Sequence, residues 1–274
     1  MELSFKMGEQ QYVFNNNVFH DLSIPLHFNG EQPNIFDMET ARSQACENGK
    51  FIGDTRRGGG CNFEKISMIP HCNGTHTECI GHLTHERYAI QKQLKDSLIP
   101  ATLISVTPVK ATNNADRYEP SKEEGDTFIS RQVLEQALKQ DHRGFHRALI
   151  IRTIPNEKTK MNRRYMSHPP AFFSLDAMEF LVQLGVEHLL VDLPSVDRTF
   201  DEGKLSAHHI FWNMKPGSHD ASSKAQFHNT ITEMIFVPDE IADGRYVLNL
   251  QIAPFVADAS PSRPMIYPLK MLVH

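Results

Sequence analysis

Ser174-Leu175-Asp176-Ala177-Met178-Glu179-Phe180-Leu181-Val182-Gln183-Leu184-Gly185, followed by Val186-Glu187-His188-Leu189-Leu190-Val191-Asp192, spells a helix that stops and a strand that starts. Ser174 can accept a hydrogen bond from the first helical turn, and Gly185 supplies the left-handed residue that closes a helix. Residues 188–192 form a short apolar run of strand length. Working outward, residues 102–107 are β-branched and apolar up to Pro108, and residues 147–153 repeat the pattern. Between them, Asp126-Thr127 precedes apolar positions at helical spacing over residues 129–138, which predicts a second helix. This alternation between residues 100 and 193 predicts a sheet with helices packed on it. Beyond Val196 the pattern turns strand-rich at residues 230–237, 245–252 and 264–268. The expected class is α/β in the mixed α+β sense, with a mixed or antiparallel sheet packed with helices, as one domain over residues 1–274.

The N-terminal sixty residues are polar and irregular, apart from a short strand expected within residues 18–26. Residues 63–69 alternate loosely before Pro70 and are expected to deliver the chain into a histidine-rich loop. Two long polar connections, residues 155–170 and 216–228, are of a length usually found in functional loops.

Composition narrows the function. A net charge of -5, with basic residues no more clustered than Arg56-Arg57 and Arg163-Arg164, gives no electrostatic footprint for nucleic acid. No segment approaches the roughly 18 apolar residues of a membrane span. The start of the chain lacks the basic-then-apolar layout of a secretion signal, so cytoplasm is the expected location. The four cysteines show no CxxC spacing and are expected as free thiols. A small-molecule substrate is the expected partner.

The 15 histidines ask where they cluster. Residues 71–86, His-Cys-Asn-Gly-Thr-His-Thr-Glu-Cys-Ile-Gly-His-Leu-Thr-His-Glu, gather four of them with two cysteines and two glutamates. Hydrophobic burial gives no reason for such a gathering. His76 and Glu78 are two apart, so an extended chain projects both to one side. His82 can share their pocket if residues 79–81 turn, and Gly74 and Gly81 supply backbone freedom. Imidazole and carboxylate donors suit a catalytic zinc or manganese site better than a structural zinc knuckle.

Gly74-Thr75-His76-Thr77-Glu78 followed by His82 resembles the His-x-Gly-Thr-His-x-Asp-x-Pro-x-His signature of the cyclase/kynurenine formamidase family of metal-dependent hydrolases. Four further stretches resemble that family in order: residues 20–26, residues 191–197, then Ala207-His208-His209 with Thr232-Glu233, and finally Gly244-Arg245-Tyr246 with residues 258–263. The resemblance implies a swivelling-type β/β/α cyclase-like fold, a homodimer or homotetramer, and two divalent ions, zinc or manganese. Glu78 would bridge the ions, His76 would ligate the first, His208 and Glu233 would complete the second, and His82 would transfer protons. Hydroxide held by the ions would attack the carbonyl of a formamide or cyclic amide, with kynurenine formamidase, an enzyme of tryptophan catabolism, as the named activity. This sequence departs from the signature in three places. Four residues before His76 stands Cys72 rather than His, with His71 one further back; either can ligate, and His71 is preferred because thiolate mixes poorly with hard carboxylates. Glu78 replaces Asp, and Ile80 replaces Pro. The departures bear on metal and substrate more than on fold.

Glu233 lies in an apolar run where alternation puts it on one face with Ile231 and Ile235, favouring an inward carboxylate. Trp212 is read as core packing before an aromatic substrate floor. Asp192 and Asp197 are expected either to make turns or to orient metal-bound histidines. Ser260 and Arg263 are expected to fix a turn, and His85, His142, His146, His168, His219, His228 and His274 to be exposed. Two rivals remain: a non-catalytic metal- or ligand-binding member of the same fold, and a cysteine-nucleophile enzyme using Cys72 or Cys79.

Overall fold

The computed structural model describes residues 1–139 and 144–272, so the expectations for His142 and His274 fall outside the described residues. Its largest sheet has nine strands among the described residues. In chain order they are β1 (His20–Asp21), β2 (His76–Glu78), β3 (Leu98–Val106), β4 (Ala148–Thr153), β5 (His188–Val191), β6 (Thr230–Glu233), β7 (Gly244–Asn249), β8 (Ala259–Pro261) and β9 (Met265–Pro268). Across the sheet the order is β8-β2-β6-β5-β4-β3-β7-β9-β1. The central four, β3 to β6, run parallel, and the strands on both flanks are antiparallel. The sheet is therefore mixed.

Parallel strands are covered on both faces, which is why they read as unbroken apolar runs. Along β4, Leu149 and Ile151 enter the core beneath the helices, whereas Ala148 and Ile150 enter a second core on the reverse face. The helices that bear on the sheet and the site are α1 (Pro70–Asn73), α2 (Arg131–Ala137), α3 (Leu175–Leu184) and α4 (Ser206–Phe211). α3 has the expected ends: Ser174 Oγ accepts from the Ala177 N–H at 3.0 Å, and Gly185 adopts φ 81°. Its buried residues, Ala177, Met178 and Leu181, pack onto the sheet.

Two expectations are corrected. α2 starts at Arg131, capped by Ser130, because residues 127–129 form a strand that runs parallel to Phe172–Phe173 and buries Phe128 and Ile129. The strand expected over residues 230–237 ends at Glu233, because Met234 takes φ 53° and turns the chain. Ile231 consequently packs under the helices while Ile235 joins the opposite core, so Glu233 shares a face with Ile231 alone. Among the described residues, no helix is long and apolar enough to cross a membrane.

Candidate metal centre

β2 and its two antiparallel neighbours build the site. The register sets His76 opposite Glu233 and Glu78 opposite Ile231 on β6, with Ala259 of β8 opposite Glu78 on the other side. Residues opposite one another project to the same face, so His76, Glu78 and Glu233 emerge together. On the reverse face Thr77 and Thr232 bond through their hydroxyls at 2.8 Å. α4 then brings His208 over this face, and α1, with Pro70 at its first position, brings His71. The turn at residues 80–82 returns His82 to the cluster. Gly81 is required there, since a Cβ would stand 2.1 Å from the Tyr88 carbonyl oxygen. Gly74 is extended and needs no special freedom.

Three imidazoles are held by their outer nitrogens. His76 Nδ1 lies 2.9 Å from the Gly74 carbonyl oxygen, His208 Nδ1 lies 2.6 Å from Asp197 Oδ2, and His71 Nε2 lies 2.9 Å from Asp258 Oδ2. A histidine that donates its outer N–H this way turns its other nitrogen inward as a ligand. The inner atoms converge on two carboxylates. His71 Nδ1 is 3.0 Å from Glu78 Oε2, His208 Nε2 is 3.0 Å from Glu78 Oε1, and His76 Nε2 is 3.4 Å from Glu233 Oε2. Glu233 Oε1 also accepts the Val196 N–H at 3.0 Å.

His76, Glu78, His208 and Glu233 are all buried, yet His76 Nε2 and Glu78 Oε2 have no hydrogen-bond partner. His71 Nδ1 approaches Glu78 Oε2 closely but off the axis of a hydrogen bond. Buried polar atoms are rarely left so, and a cation between these groups would satisfy both. Ligand atoms of His71, His76 and Glu78, and of Glu78, His82 and His208, each lie within 4.8 Å of one another. The donor set therefore fits a divalent metal ion.

The electrostatics of these side chains agree. Burial opposes the charge on His71, but the Asp258 and Glu78 carboxylates override it and raise the imidazole to about 10. His208 is likewise raised against burial by Asp197 and Glu78. Glu78 is held below the ordinary carboxylate range despite complete burial, through His82, His208 and His71. Protons on these imidazoles occupy the positions that cations would take.

Cys72 is placed otherwise. It packs against Ile24, Ile35, Tyr165 and Met234, and burial pushes its thiol up to about 11. Cys79 is buried too, its thiol pushed up to about 12. Neither is the activated thiolate that a cysteine nucleophile needs.

His82 is half-buried, with Nδ1 3.4 Å from Asp258 Oδ2 and 3.9 Å from Glu78 Oε2. It lines a cavity of about 1400 Å³ whose wall also includes Phe36, Tyr118, Phe200, Lys204 and Leu205. The connection at residues 216–228 is tied to the loop beyond His82, where His219 Nδ1 donates to the Leu83 carbonyl at 2.7 Å and the His219 carbonyl accepts the His85 N–H at 3.0 Å.

Asp197 orients His208, one of the two roles expected of it. Asp192 does not. It pairs with the buried Lys160 at 2.7 Å and accepts from Thr153, securing the connection at residues 155–170 instead of a histidine. Trp212 packs fully buried behind His208, ring centroids 5.5 Å apart, and donates to the Asn229 carbonyl. Arg263 binds Asp21 at 2.7 Å. His85, His168, His219 and His228 are exposed, whereas His146 is half-buried. Asp258 was not singled out from the sequence. Its place in the stretch 258–263 was the available signal, and only the pairing of β8 with β2 reveals its contacts.

Residues 4–198 match the family model named Cyclase. A kynurenine formamidase of Bacillus cereus is 25% identical over 256 residues, covering 91% of this chain and 97% of the relative. One of Bacillus thuringiensis subsp. konkukian is 33% identical over 213 residues, covering 77% of this chain and 82% of the relative. Among solved structures, a predicted metal-dependent hydrolase from Bacillus stearothermophilus superposes with a TM-score of 0.58 at 17% identity, covering 91% of this chain and 98% of the other. Isatin hydrolase A from Labrenzia aggregata, bound to benzyl benzoate, gives 0.60 at 13% identity, covering 91% and 93%. The structural likeness bears on fold alone.

Proposed function

Because this chain belongs to the Cyclase family, we propose that it is a metal-dependent hydrolase of carbon–nitrogen bonds acting on a formamide or cyclic amide. The observation that carries this reading is the set of three imidazoles pinned outward while their inner nitrogens close on Glu78 and Glu233, leaving His76 Nε2 and Glu78 Oε2 buried without hydrogen-bond partners. The relatives named kynurenine formamidase support the amide class.

His71, His76 and Glu78 would hold one ion, and Glu78, His208 and Glu233 the other. Zinc or manganese bound there would supply Lewis acidity, polarising a carbonyl and making water a stronger acid. The residues do the rest. Asp197, Asp258 and the Gly74 carbonyl orient the imidazoles before substrate arrives, so no reorganisation is needed during reaction. His82 sits where the cluster meets the cavity and can take a proton from attacking water, then return it to the leaving nitrogen.

Elemental analysis of protein purified without chelator, paired with turnover of aryl formamides and cyclic amides, tests this. His76→Ala and Glu78→Ala should each remove both metal and activity. Full activity in either variant rules the assignment out.

A further inference from the structure

We infer that Asp258 is a positioning residue for proton transfer, holding His82 with Nδ1–H turned inward and Nε2 left to the cavity while it also orients His71. The inference rests on the proposed hydrolase reading for its chemistry, though not for its geometry. One oxygen, Asp258 Oδ2, lies 2.9 Å from His71 Nε2 and 3.4 Å from His82 Nδ1. The two rings lie tilted by 31° with centroids 4.3 Å apart, side by side before the same acceptor. A carboxylate only accepts, so both nitrogens facing it carry hydrogen. A neutral His82 in that tautomer has its lone pair on Nε2, and Nε2 makes no hydrogen bond among the described residues.

The backbone fixes the arrangement independently. The Asp258 carbonyl accepts the Cys79 N–H at 3.0 Å, joining the chain just before β8 to the turn that carries His82. Across that turn, a Cβ on Gly81 would meet Asp258 Cβ at 3.2 Å, so the carboxylate backbone and the turn are in close contact. Asp258 therefore sits at a fixed place beside His82 rather than on a free loop.

The step it prepares is balanced without a further reactant. Water oxygen forms a bond to the carbonyl carbon while its proton passes to His82 Nε2. The C–N bond then breaks as Nε2 gives that proton to the departing nitrogen, yielding a carboxylic acid and an amine. With Asp258 gone, His82 is free to rotate and to exchange tautomers, and Nε2 presents a lone pair for only part of the time.

The experiment uses metal-loaded, full-length protein with ¹⁵N-labelled histidine. Long-range ¹H–¹⁵N spectra give the tautomer of His82, assigned by its loss in His82→Gln. The wild type should show the Nδ1-protonated form, and Asp258→Ala a mixture of tautomers. Asp258→Asn, which keeps a carbonyl acceptor, should restore part of the wild-type signal. In turnover, Asp258→Ala should lose about 10-fold in kcat at saturating metal, less than the about 10²–10⁴-fold that proton transfer itself contributes, with KM little changed. The double variant with His82→Gln should be no slower than His82→Gln alone, since residues acting as a unit are not additive. A His82 tautomer unchanged in Asp258→Ala, or losses that multiply in the double variant, would overturn the inference. If the tautomer shifts as expected but the wild type cleaves no amide, the positioning stands and the hydrolase reading falls.

Discussion

Replacing Asp197 by Asn tests whether His208 is a metal ligand held by its outer nitrogen. The Asp197 carboxylate is fully buried and accepts four hydrogen bonds. The Tyr118 hydroxyl at 2.9 Å and the Ala207 N–H at 2.8 Å reach Oδ1, while the His208 N–H at 3.1 Å and Nδ1 at 2.6 Å reach Oδ2. Asparagine keeps the volume but removes the charge, and its NH2 must face either the His208 N–H and Nδ1 or the Ala207 N–H. Two routes give the cost at the ion. A hydrogen bond to a charged group contributes about 1.5–3 kcal/mol. Loss of a carboxylate behind a ligating histidine lowers metal affinity by about 10–100-fold, which is about 1.4–2.8 kcal/mol at 1.4 per decade. The estimates agree, so Asp197→Asn should bind zinc about 10–100-fold more weakly. Competition against a chromogenic chelator measures this, with circular dichroism to establish that the variant is folded. The backbone bonds at the start of α4 contribute separately, and their loss should lower stability by about 1 kcal/mol, as for a lost helix cap. Affinity within twofold of wild type in a folded variant refutes the reasoning, because either His208 is not a ligand or its orientation does not depend on Asp197.

Lys160→Met should destabilise the fold by about 3–5 kcal/mol, because it leaves the buried Asp192 carboxylate without the ammonium that pairs with it. Urea unfolding at neutral pH measures this, and a loss below about 1 kcal/mol would show that water reaches the pair. The metal-free protein should lose stability as pH rises from about 6.5 to about 10: His71 is raised in the folded state, so its contribution is complete below the unfolded value and lost through the folded one. Metal should abolish that slope and release protons on binding at pH 7. Calorimetry in buffers of different ionisation enthalpy reads the release, and none at all would contradict the protonated imidazoles.

Local chemistry in the sequence carried much of the fold. Ser174 and Gly185 marked both ends of α3 because a side-chain cap and a left-handed glycine act within one turn of the chain. The parallel strands were legible because burial on both faces leaves a continuous apolar run. Failures came where a neighbour outside the window decided the outcome. Residues 127–129 carry apolar positions compatible with helix, yet their pairing with Phe172–Phe173 makes them strand. Nothing local marks Met234 as the residue that ends β6, since a non-glycine residue at φ 53° is set by what surrounds it.

The site was legible as donors and not as a geometry. Spacing alone put His76 and Glu78 on one side of an extended chain, whereas placing Glu233 beside them required knowing which strand pairs with which and in what register. The register has its own lock on the opposite face. Thr77 and Thr232 stand across from each other there and bond at 2.8 Å. A slip of one residue between β2 and β6 would break that bond and turn Glu233 away from His76. The candidate donors thus depend on two hydroxyls that never touch them, which is why the motif alone could not predict their arrangement.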